Sequence, residues 1–236
     1  MSSVEDRENI EEMDISEFLE PGELVNSDHP EIVAFAKRLV GDATDDIDKA
    51  KRLYYGVRDE VAYDPYNVSL DVAGLGALGC LQDGSGFCVQ KAALLAAAAR
   101  AAGIPARVGY ADVRNHLTSK RLNDMIKTDL FTYHGYTELY LEGKWVKATP
   151  VFHQSLCERA RVVPLEFDGR NDSIFQPFNA DGKKHMEYIH DHGAFFDVPM
   201  ETIATAFRES YPALVTGEKI DGDFEADAAA FSGDQN

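Results

Sequence analysis

One run of residues limits what this chain can fold into. From Cys88 to Ala102 it reads Cys-Val-Gln-Lys-Ala-Ala-Leu-Leu-Ala-Ala-Ala-Ala-Arg-Ala-Ala. Alanine and leucine are the strongest helix formers, so the run predicts a helix. A helix that is apolar all round has no face for water and must lie at the centre of the fold. Gly103 stops it and Ile104-Pro105 turns the chain away. The rest of the molecule therefore wraps this helix.

The residues leading into the helix carry chemistry. Asp83-Gly84-Ser85-Gly86-Phe87 is a glycine-rich approach that delivers Cys88 to the first helical position. A thiol there meets unpaired backbone N–H groups and the positive end of the helix dipole. Both favour the thiolate, which is the nucleophile. Gln82 lies six residues upstream. A tight turn would bring its amide to the same sulfur as an oxyanion donor for acyl transfer. A merely buried cysteine would also begin a core helix, but it needs no glycine-rich approach.

Composition narrows the function classes. The net charge is −18 over 236 residues. Such a chain repels nucleic-acid phosphates and has no polybasic surface for a membrane. The three cysteines, Cys80, Cys88 and Cys157, are odd in number and fit neither a disulfide framework nor a zinc spacing. The first residues are acidic and polar, unlike a signal peptide, and no apolar run approaches the ~20 residues that span a bilayer. The expectation is a cytoplasmic protein with reduced thiols and neither cofactor nor metal.

Periodicity sets the organisation. Residues 1–29 read as an acidic arm, 30–216 as the folded domain and 217–236 as a disordered acidic tail. Helices are expected at 30–40, 45–61 and 200–211, a glycine-rich loop at 71–86 and a strand at 106–113. Residues 114–131 form a polar insertion. His134 to Leu141 alternates, Glu142-Gly143 turns, and Lys144 to Thr149 returns as a hairpin. That register pairs Tyr140 with Trp145, Glu138 with Lys147 and Tyr136 with Thr149, and it puts opposite charges face to face. It also places His134 and Thr149 on one sheet face. The stretch containing His185, Glu187, His190, Asp191 and His192 matches no metal spacing and reads as a solvated strip.

A nucleophilic thiol needs a base, and the base needs an orienting group. His134, in a strand that can pack on the Cys88 helix, fits better than His29, His116 or His153. With these residues in place the chain resembles the transglutaminase-like superfamily, whose core is shared with papain-like cysteine proteases. The similar pieces are Gly84 to Ala92, Ala101 to Val108 and His134 to Pro150. The resemblance implies an α+β fold with a central nucleophile helix packed on an antiparallel β-sheet. It implies Cys88 as nucleophile, His134 as base and Gln82 at the papain-like glutamine position. It implies cysteine-dependent acyl transfer on a peptide, protein or small amide, ending in hydrolysis or amide exchange. The family's usual aspartate after the hairpin tryptophan is here Thr149, in Trp145-Val146-Lys147-Ala148-Thr149-Pro150. Thr149 then orients His134, or Asp168 or Asp172 does so, or the fold serves as a binding scaffold without turnover. Lys120, Arg121 and Lys127 of the insertion hint at an anionic substrate.

Overall fold

The structure, a computed structural model, describes residues 14–115, 118–175, 186–215 and 221–228. Helices α1 (Pro30–Val40), α2 (Asp46–Glu60), α3 (Val72–Leu75) and α4 (Ala77–Asp83) precede the central α5 (Cys88–Ala101). Two short strands, β1 (Ala62–Tyr63) and β2 (Ser85–Gly86), pair in parallel just before α5. The main sheet has the order β5-β4-β3-β6, all antiparallel. Its strands are β3 (Ala106–Asn115), β4 (Leu130–Leu141), β5 (Lys144–Ala148) and β6 (Met186–Phe195). Helices α6 (Lys120–Ile126), α7 (Gln154–Ala160), α8 (Met200–Ser210) and α9 (Phe224–Ala228) complete the chain. Among the described residues no helix is long and apolar enough to cross a membrane.

The central helix behaves as its composition demands. Every residue of α5 from Cys88 to Arg100 is buried. It lies between α1, α2 and α4 on one side and β4 and β3 on the other. Gly135 and Thr137 face it from β4, and the Thr137 hydroxyl donates to the Ala92 carbonyl at 2.8 Å. The far end of α5 is closed by Arg100, whose guanidinium donates to Ala106 O (2.9 Å), Glu20 O (2.8 Å) and Phe196 O. A cation at a helix C-terminus is electrostatically favoured there.

The hairpin has the expected register. Tyr140 pairs with Trp145 and Glu138 with Lys147, and Glu142 and Gly143 take φ of 50° and 83°. Two positive φ values are what a two-residue turn joining twisted strands requires. The ladder ends at Thr137–Ala148, so the expected Tyr136–Thr149 pair is not made. Glu138 is buried and holds Arg107 at 2.6 Å, while the Arg107 guanidinium lies 4.2 Å from the Trp145 ring centre.

Three expectations change. The supposed loop at 71–86 contains α3 and α4, with Asp71 capping Gly74 N–H at 2.7 Å. The histidine-bearing strip is an edge strand, β6; His116 and His185 lie outside the described residues. The described residues near both ends, 14–25 and 221–228, pack on the body of the fold. Phe18, in a 3-10 turn at Ile15–Leu19, is buried edge-on against Trp145 at 5.2 Å. The carboxylate of Asp197 accepts the N–H groups of Glu23, Leu24 and Val25 at 2.6, 3.1 and 2.8 Å. Within the supposed tail, α9 buries Phe224 against Tyr63 and Tyr66, with both ring pairs at 5.4 Å.

Lys91 is fully buried in α5, donating to Arg58 O at 3.1 Å and Val61 O at 2.5 Å at the end of α2. Burial pulls its pKa from 10.5 down to about 7. The folded pKa lies below the unfolded one, so between them the unfolded chain holds more protons. Stability should then rise with pH above 7, by at most ~1.4 kcal/mol per pH unit for one proton. Urea midpoints taken from pH 7 to 8.5 should rise, and Lys91→Met should flatten that slope. Parallel slopes in the two proteins would refute this account of Lys91.

Candidate active site

The path from α4 to α5 explains how the thiol is presented. Gly84 ends α4 in the left-handed region, φ 62°. Ser85 and Gly86 pair with β1, and a Cβ on Gly86 would lie 2.8 Å from the Cys80 sulfur. The chain then enters α5 with Gln90 accepting the Phe87 N–H through Oε1 at 3.3 Å. Cys88 is left at the first helical position.

Cys88 and His134 line one cavity of about 40 Å³. Its walls are otherwise apolar, including Phe87, Leu122, Ile126, Phe131 and Phe207, with Tyr63 and Tyr211 at its sides. Cys88 is 9 % exposed and His134 4 %. The strand bearing His134 comes very near the helix start. A Cβ on Gly135 would sit 2.8 Å from the Cys88 carbonyl oxygen. His134 meets Phe175 edge-on at 5.7 Å.

The electrostatics oppose one expectation. Burial dominates at Cys88 and pushes the thiol up to about 11. Backbone amides of Gly135, Val89 and Cys88 itself pull the other way. The helix start therefore favours the thiolate, but enclosure outweighs it. Cys80 and Cys157 are also free and buried, and both are pushed up to about 12.

Gln82 is not brought to the site. It is exposed, and its amide donates to Glu31 Oε1 at 3.0 Å on the surface of α1. The helical turn of α4 carries it away from Cys88, where a loop had been expected. Thr149 is buried after β5, near Tyr188 of β6. The two hydroxyls interact, yet neither makes a well-formed hydrogen bond. Burial pushes Tyr188 up to about 12. Asp168 and Asp172 lie elsewhere. Asp168 caps the Arg170 and Asn171 N–H groups, which hold its carboxyl down at about 2. Asp172 accepts the Lys147 N–H at 2.9 Å on the edge of β5.

Two of the three basic residues named in the insertion are paired with acids. Lys120 pairs with Asp124 at 2.6 Å and Arg121 with Asp227 at 3.0 Å, which removes the support for an anionic substrate at those two residues. What the insertion gives the cavity is apolar: Leu122 and Ile126 of α6, at helical i, i+4 spacing. That spacing was visible in the sequence. The contribution of α8 through Phe207 and the adjacent Tyr211 was not, because it comes from the far end of the chain. No group of histidine, cysteine and carboxylate side chains suited to a metal ion occurs among the described residues.

Among solved structures, a candidate cysteine protease from Cytophaga hutchinsonii is 19 % identical with a TM-score of 0.46, covering 78 % of this chain and 56 % of that one. A candidate protease from Parabacteroides distasonis is 17 % identical with a TM-score of 0.36, covering 50 % of this chain and 23 % of that one. The chain thus spans well under two thirds of either protein. Among curated proteins nothing matches it. The family model described as the transglutaminase-like superfamily matches residues 33–150, from inside α1 through Cys88 and His134 to the end of the hairpin. That match takes in half of the 236 residues, and by it the chain belongs to the transglutaminase-like superfamily.

Proposed function

We propose that the protein is a cysteine-dependent acyl-transfer enzyme in which Cys88 is the nucleophile and His134 the base. The supporting observation is that both line one small apolar cavity where α5 meets β4. His134 takes the thiol proton as the sulfur attacks an amide or ester carbonyl. The resulting imidazolium returns that proton to the leaving amine or alcohol as the C–N or C–O bond breaks. A thioester on Cys88 remains. Water or an amine attacks it, His134 takes the proton of the incoming group, and the C–S bond breaks to regenerate the thiol. Backbone amides of Gly135, Val89 and Cys88 favour the thiolate, and they replace Gln82 as the candidate oxyanion contacts.

A binding protein without turnover is the second reading. It is favoured by Thr149 standing where the family has an acid, and by the raised Cys88 pKa. In the serine-protease template, neutralising the triad acid costs about 10⁴ in rate. One experiment separates the readings: intact-mass analysis of the protein incubated with a panel of activated esters and amides. An acyl adduct on Cys88 that later clears supports the enzyme. Modification of Cys157 in preference to Cys88 would sink the assignment.

The orienting role of Thr149 has its own test. Thr149→Asp should speed Cys88 alkylation at pH 6, because a carboxylate stabilises imidazolium and hence the ion pair. The Tyr188 hydroxyl is at hand to donate to it. Thr149→Val should slow the reaction. Unchanged rates in both folded variants would remove Thr149 from the site.

A further inference from the structure

We infer that Asp112 and His192 are positioning residues that hold His134 toward Cys88 by clamping the backbone of the residue before it; this rests on His134 being the base. The sheet is irregular just there. On β4, Ala111 pairs with His134 and Val113 with Phe131, so Asp112 of β3 is opposed by two residues, Thr132 and Tyr133. On β6, Tyr110 pairs with Gly193 and Ala111 with Asp191, so His192 is also an extra residue. Bulges of this kind re-aim the side chains that follow them. Here a bulge on β4, immediately before His134, faces the first of two bulges on β6 across β3.

Tyr133 takes φ of 53°, a left-handed conformation that suits glycine and is strained for tyrosine. Such strain persists only where the surroundings over-determine it. The clamp does so. Asp112 Oδ1 accepts the Tyr133 N–H at 3.1 Å and the His192 Nε2–H at 2.6 Å. The His192 ring stacks on the Tyr133 ring, 4.0 Å between centres and 10° from parallel. One carboxylate oxygen therefore fixes both extra residues, and their rings lock face to face. Both side chains of the Asp112–His192 pair are largely buried. In a triad, an acid on the imidazole supplies the orientation. In this chain Thr149, which carries no charge, stands at that position, and the clamp adds orientation through the backbone.

The test uses the full chain and reads the second-order rate of Cys88 alkylation by iodoacetamide between pH 5 and 8, with folding checked by circular dichroism. His134→Ala sets the profile without a base. Asp112→Ala should lose about tenfold at pH 6 and move toward that profile. Asp112→Asn keeps an acceptor oxygen for the Tyr133 N–H and should restore most of the loss. His192→Phe keeps the stacked plane without the bond and should fall between.

Tyr133→Gly makes the clamp redundant, because glycine takes positive φ at little steric cost. The Asp112→Ala effect should therefore shrink in that background, a non-additivity that a merely structural role would not give. Should Asp112→Ala not fold, the His192→Phe profile decides. The proposal is overturned if folded Asp112→Ala or His192→Phe keeps the wild-type profile while His134→Ala changes it. It is equally overturned if the Asp112→Ala loss is as large in the Tyr133→Gly background as in the wild type. An unchanged profile in His134→Ala brings down the base assignment, and the clamp with it.

Discussion

Gly135→Ala should disable the site while leaving the backbone conformation at that position permissible. The added Cβ would lie 2.8 Å from the Cys88 carbonyl oxygen, 3.0 Å from Val89 Cα and 3.1 Å from the Cys88 carbonyl carbon. All three are backbone atoms at the start of a buried helix, so no side chain can swing aside. The strand must retreat from the helix by several tenths of an ångström. Overpacking of this kind costs about 1–3 kcal/mol. The displacement falls between the thiol on one element and the imidazole on the adjacent residue of the other. Misplacement by about 1 Å can cost ~100-fold in rate. Thermal melts and the rate of Cys88 acylation by an activated ester would check both halves. A variant with wild-type stability and wild-type acylation would show that the close approach has no part in the site.

Phe224→Ala should cost about 3 kcal/mol, the lower part of the range for a buried phenylalanine. The ring is 5 % exposed and packs edge-on against both Tyr63 and Tyr66. The helix that carries it is pinned at two further points. Glu225 meets His153 Nε2 at 3.4 Å and Arg159 at 3.0 Å. Asp227 accepts from the Tyr66 hydroxyl at 2.8 Å and pairs with Arg121 at 3.0 Å. Removing residues 217–236 should therefore lower the urea midpoint at least as much as Phe224→Ala, and should quicken alkylation of Cys88 by loosening α6 and Tyr63. A truncated protein as stable as the full chain would show that α9 does not dock in solution.

The parts legible in the sequence were those fixed by neighbours in the chain. An apolar run delimits α5 whatever surrounds it, and a two-residue turn with alternating flanks sets the register of β4 on β5. Cys88 and His134 could be placed on the fold because each sits on one of these elements. Gln82 went astray because its partner, Glu31, comes from 51 residues upstream, and because α3 and α4 are held by caps within a glycine-rich segment. Strand β6 was hidden by its own bulges, which break the alternation that marks a strand. The tail looked disordered because two phenylalanines, Phe224 and Phe231, in an acidic stretch say nothing of the two tyrosines that receive the first.

The small cavity makes the labelling rate of Cys88 by a bulky reagent a product of two quantities. Cys88 is 9 % exposed beneath a wall made by α6, which Arg121 ties to Asp227 of α9, and by α8. A reagent wider than the cavity therefore reaches the sulfur only in the fraction of molecules where that wall has parted. The observed rate is the intrinsic rate of the thiolate multiplied by that fraction. A slow reaction is then a property of the wall as much as of the sulfur. Comparing a small haloacetamide with a bulky maleimide on the native chain, each referenced to the unfolded protein, would yield the opening equilibrium as a function of aperture. The candidate nucleophile thus serves as a reporter of breathing motions, and a substrate would have to be admitted by them before any chemistry begins.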